Sequence, residues 1–303
     1  MLMLDVRRLR ALSEVAEQGS FSAAASAMGL TQSAVSQHIS ALEREIGLAV
    51  VRRGSRPVEL TEAGAALTRH ARGILARLEA AEQEVAEIGE RRRGRLRFGC
   101  FPTVLGTLMP PAFARFRRLH PEVRLTVVDD HLHRLVPRLE SGELDLVVIY
   151  DHEALPDIDA KSFHRAPLLT DRFHAVLPAG HALARRKNLR LTDLRDEPWI
   201  GGAPSSAWYR IVRHACQQVG FTPRADLASD DYIAVQALVA AGLGVSVIPG
   251  LAVAHPLPGV AVRQLISGAP ERHISAAWPI DGYRGPTLTT MVESLQLTAK
   301  GMR

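Results

Sequence analysis

Two helical patterns of apolar and polar residues follow each other closely near the start of the chain. In the first, Ser20 can cap a helix whose apolar face carries Phe21, Ala24, Ala25 and Met28. In the second, Thr31 can cap a helix whose apolar positions are Ala34, Val35, Ile39, Leu42 and Ile46. A glycine follows each pattern, at Gly29 and Gly47, where a left-handed residue can end a helix. The pattern therefore predicts a helix, a tight turn and a second helix.

The opposite face of the second helix is polar. Its side chains are short or end in an amide, and they are Gln32, Ser33, Ser36, Gln37 and Ser40. Such groups can enter a major groove and hydrogen-bond to base edges, although a face that is merely solvated has a similar composition. The continuation of the chain distinguishes the two interpretations.

A small hairpin is predicted directly after the second helix, because Val50, Val51, Val58 and Leu60 alternate around a polar segment. Residues 48–58 contain three arginines and no acidic residue, so the tip of this hairpin is cationic. A cationic wing suits contact with phosphates or the minor groove. We therefore interpret this region as a DNA-reading module. Its candidate DNA contacts are Gln32, Ser33, Ser36 and Gln37 for bases and Thr31, Arg53 and Arg56 for phosphates or the minor groove.

A long helix is predicted from Thr61 to about Glu90, where no proline interrupts the chain. Its apolar residues repeat every seven positions, as Gly64, Ala71, Leu78 and Val85 with Leu67, Ile74, Ala81 and Ile88. This spacing is typical of a helix that pairs with a second copy of itself, and such a pair would place two reading modules on one DNA duplex. An amphipathic helix lying on its own domain is the alternative.

Apolar strands alternate with helical segments from residue 95 onward, which favours right-handed crossovers and a largely parallel sheet. Ligands of such sheets bind beyond the carboxyl ends of the strands, next to the N-termini of helices. That rule selects nine candidate contacts for a small ligand, each with an ordinary structural role as its alternative: Phe101, Thr103, Val104, His131, Tyr150, Pro204, Ser205, Ser206 and Ser229.

Several motifs in this chain resemble those of LysR-type transcriptional regulators. The N-terminal match includes Gly19-Ser20-Phe21, Thr31-Gln32-Ser33-Ala34-Val35-Ser36 and Leu60-Thr61-Glu62-Ala63-Gly64. The C-terminal match includes Leu96-Arg97-Phe98-Gly99, Gly142-Glu143-Leu144-Asp145-Leu146 and Ile248-Pro249. Two positions differ from the family pattern, since proline is frequent where Ser33 or Ala34 stands and Leu-Phe where Val50-Val51 stands.

The resemblance implies an α/β multidomain protein. It would have an N-terminal winged helix-turn-helix (residues 1–60), a long linker helix that dimerises (61–94) and a two-lobed, periplasmic-binding-protein-like α/β effector domain (95–303). Lobe I would comprise residues 95–163 and 268–303, and lobe II residues 164–267, with hinges near His164 and Ser267. It also implies effector binding between the lobes.

The composition of the chain restricts its domain number, its cellular compartment and the basis of the DNA interpretation. A chain of 303 residues with 47% hydrophobic and 23% charged residues fits a globular protein of several domains. Its start carries Asp5, Arg7 and Arg8, so we expect no signal peptide and no membrane span. Two distant cysteines fit a reducing cytoplasm and provide no disulfide framework. Net charge is only +5, so the DNA interpretation depends on local placement of arginines.

The sequence gives little support for a metal site or for a catalytic site. Asp129-Asp130-His131-Leu132-His133 is the densest group of potential metal ligands, but its spacing matches no closed site and surface histidines with a capping aspartate explain it. Gly242-Leu243-Gly244 precedes a strand, which is the wrong order for dinucleotide binding. No nucleophile elbow, P-loop or His-Glu-x-x-His motif is present. We therefore expect no metal, no cofactor and no enzyme activity.

The sequence as a whole predicts a cytoplasmic, sequence-specific DNA-binding transcription regulator whose activity a small-molecule effector modulates. Double-stranded DNA of a promoter or operator, the effector and further copies of the chain are the expected partners, as a homodimer that assembles into a homotetramer. RNA polymerase is a further candidate partner, and a membrane is not. The alternative is a small-ligand-binding protein or an enzyme that carries a DNA-tethering module.

Overall fold

The computed structural model describes residues 4–52, 57–88, 94–158, 162–280 and 284–302. Its N-terminal part contains four helices: α1 (Val6–Gln18), α2 (Phe21–Met28), α3 (Gln32–Ile46) and α4 (Glu62–Ile88). Ser20 accepts a hydrogen bond from the Ala23 amide and thereby caps α2, while Gly29 (φ 65°) and Gly47 (φ 72°) end α2 and α3 in the left-handed conformation. The apolar faces of the helices share one core, so the predicted helix-turn-helix is confirmed.

The predicted hairpin follows α3. Val51 and Leu60 form an antiparallel bridge, and the Arg52 amide donates to the Glu59 carbonyl over 2.8 Å. The Val58 amide donates to the Gly19 carbonyl over 2.9 Å, which ties the hairpin to the turn between α1 and α2. Its tip, with Arg53 and Arg56, lies outside the described residues.

The long helix α4 has an apolar stripe that divides into two parts. Near its start it packs against the DNA-reading module, where Leu67 contacts the core and Ala71 is fully buried. Farther along, Ile74, Leu78 and Val85 are exposed, at 42%, 44% and 70%. Only the second part of the seven-residue repeat is therefore available to a partner.

The remainder of the chain is an α/β structure. Its strands are β1 (Arg95–Cys100), β2 (Arg124–Asp129), β3 (Leu146–Asp151), β4 (Phe163–Pro178), β5 (Asn188–Arg190), β6 (Trp199–Gly201), β7 (Ala225–Ala228), β8 (Ser246–Pro249), β9 (Val260–Ser267) and β10 (Glu271–Pro279). Its helices are α5 (Pro102–Leu105), α6 (Met109–Leu119), α7 (Leu132–Glu140), α8 (Ala207–Gln218), α9 (Tyr232–Ala240) and α10 (Pro286–Gly301). Among the described residues, no helix is both long and apolar enough to cross a bilayer.

The main sheet is mixed, whereas the alternation of strands and helices favoured a largely parallel one. Its order is β2-β1-β3-β10-β4-β9-β5, with β8 also paired to β4. Strand β1 is parallel to β2 and β3, but β10 is antiparallel to both β3 and β4. Alternation alone does not show this, because β10 comes from the far end of the chain and returns to the first lobe.

Strand β4 belongs to both lobes. From Phe163 to Arg172 it pairs with β10, and from Phe173 to Pro178 it pairs with β8 and β9. One uninterrupted strand of 16 residues therefore connects the two lobes. A cleft lies where the carboxyl ends of β1 and β3 meet the N-terminal ends of α8 and α9.

Candidate DNA interface and effector cleft

Helix α3 presents its polar face to solvent. Thr31 begins the helix, and its hydroxyl accepts a hydrogen bond from the Ala34 amide over 3.2 Å. The apolar residues Val35, Ile39 and Leu42 are buried against α1 and α2. The four predicted base-reading residues are all exposed on the other side: Gln32, Ser33, Ser36 and Gln37. The structure thus brings them together on one accessible face.

A groove beside this face has a cavity volume of about 880 Å³. It lies between the start of α2, helix α3 and the hairpin, and its wall includes Gln32, Ser36 and Arg52. The sequence analysis did not select Arg52 as a DNA contact, although its position next to Arg53 in the cationic hairpin indicated one. Its side chain is 66% exposed and lies 3.4 Å from the Glu59 carboxylate.

Glu43 fixes the hairpin relative to α3. Its Oε1 accepts hydrogen bonds from the amides of Val50 and Val51, over 2.9 and 3.5 Å. A carboxylate that accepts backbone amides in this way holds the start of the wing at a set distance from the reading helix. The geometry of the groove therefore depends on a residue that itself belongs to α3.

The cleft between the two lobes is small, with a cavity volume of about 60 Å³. Residues from both lobes line it, and they are Phe101, Pro102, Thr103, His131, Leu132, Tyr150, Ser206, Ala207, Trp208, Asp230, Tyr232 and Arg272. The N-terminal ends of α7, α8 and α9 all meet here, so the positive ends of three helix dipoles converge on the same space.

Arg272 is the charged centre of the cleft wall. Its guanidinium donates from Nε and Nη2 to Asp171 Oδ2, over 3.0 and 2.8 Å, and from Nη2 to Thr103 Oγ1 over 2.7 Å. The aromatic rings of Phe101 and Tyr150 lie on it, each with its centroid 4.8 Å from the guanidinium carbon. A buried ion pair is tolerated where such hydrogen bonds and ring faces replace water.

The two phenols in the cleft are held in the protonated state. Burial raises the pKa of Tyr232 far above its usual range. Burial also raises the pKa of Tyr150, and the nearby Arg272 only partly opposes that shift. Both hydroxyls therefore remain hydrogen-bond donors at neutral pH, next to the donors of Arg272.

The cysteines lie outside the cleft wall. Cys100 and Cys216 are both fully buried. Burial raises the pKa of the Cys100 thiol to about 12, with a smaller contribution from the nearby Asp129 carboxylate. Burial alone raises the pKa of Cys216 to about 12. Within the described part of the chain, no three histidine, cysteine or acidic residues are grouped so as to hold a metal ion.

Comparison with known protein families gives two matches that together span most of the chain. Residues 6–65 match the bacterial regulatory helix-turn-helix protein model of the lysR family, and residues 89–299 match the LysR substrate binding domain. The chain belongs to the LysR family. It is therefore a transcriptional regulator with a DNA-binding domain and an effector-binding domain.

Curated LysR relatives include regulators of different names. The chain is 28% identical over 262 residues to the transcriptional dual regulator GltC of Bacillus subtilis strain 168, covering 86% of this chain and 85% of the relative. It is 33% identical over 248 residues to a probable hydrogen peroxide-inducible genes activator of Mycobacterium avium, covering 81% and 78%. These relatives are regulators of transcription.

Solved LysR structures share the whole architecture. A full-length OxyR variant from Pseudomonas aeruginosa superposes with a TM-score of 0.78 at 25% identity, covering 97% of this chain and 95% of the other. CbnR, a LysR family transcriptional regulator, superposes with a TM-score of 0.70 at 21% identity, covering 98% and 99%. The second likeness concerns the fold only, and both confirm the expected order of winged helix-turn-helix, linker helix and two-lobed domain.

Some of the residues that the sequence predicted as effector contacts line this cleft, and others do not. Phe101, Thr103, His131, Tyr150 and Ser206 line it. Val104 is fully buried in the apolar core, because it lies on the inner side of the short helix α5. Pro204, Ser205 and Ser229 do not belong to the lining, and the Ser229 hydroxyl accepts from the Asp231 amide over 3.2 Å, a local turn contact.

Other cleft residues were missed in the sequence analysis. They are Pro102, Leu132, Ala207, Trp208, Asp230, Tyr232 and Arg272. Trp208 lies in the first turn of α8 and Tyr232 begins α9, shortly after Ser206 and Ser229, which the strand-end rule did select, so a wider window would have included them. Arg272 had no such signal, since it lies on a strand that comes from the end of the chain.

Proposed function

We propose that this LysR regulator reads operator DNA with the exposed face of α3 and responds to a small effector held between its two lobes. Gln32, Ser33, Ser36 and Gln37 contact base edges, and Thr31, Arg53 and Arg56 contact phosphates or the minor groove. The observation that carries this proposal is the shared polar face of α3 beside the groove of the wing. Amide side chains in that position can pair with adenine edges, while arginines near it neutralise phosphates.

The domain limits proposed are residues 1–60 for DNA binding, 61–94 for the linker helix and 95–303 for effector binding. A second copy of the chain is the proposed partner of the linker helix, because Ile74, Leu78 and Val85 leave an apolar stripe exposed on α4. We further propose that dimers associate into a tetramer on DNA in the cytoplasm, where operator and RNA polymerase are both accessible.

The cleft favours a small polar effector. Asp171 neutralises the charge of Arg272, so the wall offers hydrogen-bond donors without a large excess of positive charge. Aromatic rings from Phe101, Tyr150, Trp208 and Tyr232 cover the remaining surface. The cavity of about 60 Å³ is small, so binding of an effector larger than a few atoms requires the lobes to separate.

The name of the Mycobacterium avium relative indicates that hydrogen peroxide induces the genes it activates, so peroxide is a second candidate signal for this chain. The cysteines argue against a thiol-based response in this chain. Peroxide reacts with thiolates that are exposed, whereas Cys100 and Cys216 are fully buried and hold their protons up to high pH. We therefore propose regulation by reversible binding of an effector and not by oxidation of a cysteine.

The decisive experiment compares binding of the purified protein to its own upstream intergenic DNA and to an unrelated duplex of equal length, at two salt concentrations. A preference that persists at the higher salt concentration supports base-specific reading, because phosphate contacts weaken steeply with salt. Equal binding to both duplexes at each salt concentration would show that the operator does not lie in the tested intergenic DNA, and the search would move to distant promoters. Absence of binding to any duplex would contradict the DNA-reading assignment.

A further inference from the structure

Helix α7 begins in the wall of the effector cleft. His131 is its N-cap residue, and both His131 and Leu132 line the cavity. The amides of Arg134 and Leu135 donate to the His131 carbonyl, over 2.9 and 3.0 Å, so the first turn of α7 is bonded to a cleft residue. A molecule that enters the cleft therefore meets the start of this helix.

The other end of α7 presses on the linker helix. A Cβ atom added to Gly73 of α4 would lie 2.9 Å from the Ser141 carbonyl oxygen, and one added to Gly142 would lie 3.2 Å from the Ala76 Cβ. Ser141 and Gly142 form the turn that directly follows α7. This approach of backbone to backbone exists only because Gly73, Ala76 and Gly142 are small.

Charged groups reinforce the same contact. Arg72 of α4 lies 3.5 Å from Glu143, which follows the turn, and Glu143 in turn accepts a hydrogen bond from Arg138 of α7 over 3.3 Å. A second link is formed by Glu79 of α4, which lies 3.6 Å from Arg97 on β1. The linker helix is therefore attached to lobe I by its own side chains as well as by close packing.

The helix between these ends is anchored by its packing, although Pro137 in its last turns lacks a backbone amide donor. Leu135 and Leu139 are fully buried in a cluster with residues of β3 and β10. Nine residues of α-helix span about 13 Å, so α7 reaches from the cleft to the Ser141 turn, and its packed leucines on both sides of Pro137 couple the two ends. Packed interiors do not absorb a displacement of either end by compression.

The route continues from the linker helix to the DNA-reading module. A Cβ atom on Gly64, in the first turn of α4, would lie 1.9 Å from the Val50 carbonyl oxygen at the base of the wing. The Thr68 hydroxyl and the Leu67 side chain are also packed near this junction. Cleft, α7, α4 and wing thus form one series of direct contacts.

We propose that α7 is the mechanical link by which occupancy of the cleft changes the position of the linker helix. This inference rests on the proposed effector function of the cleft and names the route of its regulation. An effector that binds more tightly to one arrangement of α7 than to another shifts the linker helix, and the wing with it. The contact between Ser141 and Gly73 is the point where the effector domain acts on the linker helix.

Hydrogen exchange on the full-length protein, without DNA or effector, tests the link in the direction from linker to cleft. In the Gly73→Ala variant the new Cβ would lie 2.9 Å from the Ser141 carbonyl oxygen, so α4 and the Ser141 turn must move apart. We expect the amides of Arg134 and Leu135 to exchange about fivefold faster or more, the lower end of coupling between distant sites. Alanine favours helix over glycine, so loss of α4 cannot explain this result.

Two control variants and a second perturbation make the outcome decisive. Gly301→Ala places a Cβ in open space on another helix, and we expect it to leave α7 exchange unchanged. Arg72→Gln removes the ion pair with Glu143 and should produce a smaller change in the same direction, whereas Arg69→Gln on the exposed side of α4 should have no effect.

The His131→Ala variant tests the link in the direction from cleft to linker. Hydrogen exchange is measured at the amides of α4 residues 70–78. Faster or slower exchange there, with Gly73→Ala also altering Arg134 and Leu135, supports the link. Changes confined to residues 141–143 in Gly73→Ala, together with unchanged α4 in His131→Ala, would overturn it. Because these measurements contain no DNA, their failure is distinguishable from failure of the proposed operator binding.

Discussion

Asp171 lies opposite Arg272 across β4 and β10, and its carboxylate accepts two hydrogen bonds from the guanidinium. The side chains of this pair are only 3% and 4% exposed. The neighbouring position on the same two strands holds a second ion pair, Arg172 with Glu271, whose side chains are 66% and 41% exposed. The fold thus provides two adjacent pairs that differ mainly in burial.

Asp171→Asn should therefore strongly destabilise the protein. The change leaves Arg272 charged, buried and without a counterion, which costs about 3 kcal/mol or more in such sites. Urea unfolding of the full-length protein measures the loss. Glu271→Gln is the matched control and should cost less than about 1 kcal/mol, since its partner remains solvated. Similar losses in the two variants would contradict the role assigned to burial.

Gln32→Ala should reduce discrimination between operator and unrelated DNA. Loss of one bidentate amide contact to a base edge costs about 1–3 kcal/mol of discrimination, which is about tenfold or more. Binding to both duplexes at one salt concentration measures the ratio. Gln217→Ala removes an exposed amide from α8, outside the DNA-reading module, and should leave the ratio at its wild-type value. If Gln32→Ala retains that value too, Gln32 does not read bases.

Thr31→Ala should destabilise α3 through loss of its N-terminal cap. The Ala34 amide would lose the hydroxyl oxygen that now accepts its hydrogen bond, which should lower the free energy of unfolding by about 1 kcal/mol. Thr31→Ser keeps a hydroxyl in the same place and should restore most of that stability. Thermal or urea unfolding of the two variants provides the comparison. Equal stability of the alanine and serine variants would show that the cap contributes nothing.

Alkaline pH should weaken the fold through its two cysteines. In the folded protein burial raises the pKa of Cys100 and Cys216 from an ordinary value of 9.0 to about 12. The unfolded chain therefore loses these protons first as pH rises above about 9, and the stability that both thiols contribute at neutral pH is lost progressively toward pH 12.

The measurement is the difference in unfolding free energy between about pH 7.5 and about pH 10, in wild type and in Cys100→Ala/Cys216→Ala. Other alkaline groups titrate in both proteins, so the difference between them isolates the thiols. We expect the decline with pH to be shallower in the variant. An equally steep decline would indicate that the thiols ionise as readily in the folded protein as in the unfolded one.

Sequence was most informative where structure is local. Thr31, Gly29 and Gly47 act on backbone groups within a few residues, so the limits of α3 followed from their order along the chain. The exposed polar face followed from the same periodicity. Arg272 is the opposite case, because its partners Asp171 and Thr103 are 101 and 169 residues away in the chain. No short-range pattern reports such a contact.

The linker helix shows a different limit. Its seven-residue repeat correctly predicted a long apolar stripe, but periodicity does not identify the surface that each apolar residue meets. Leu67 and Ala71 meet the DNA-reading module of their own chain, whereas Ile74 and Leu78 remain exposed. Gly73, which sequence placed on no apolar position, is the residue that allows α4 to approach lobe I.

The continuous strand β4 determines how the two lobes can move. Lobes joined only by loops move easily, but here a change of cleft width must deform a hydrogen-bonded strand where its pairing passes from β10 to β8 and β9. Twisting a paired strand acts as a torsion spring, with a restoring force that grows with the angle. The hydrogen bonds along β4 therefore oppose separation of the lobes and favour the arrangement seen here.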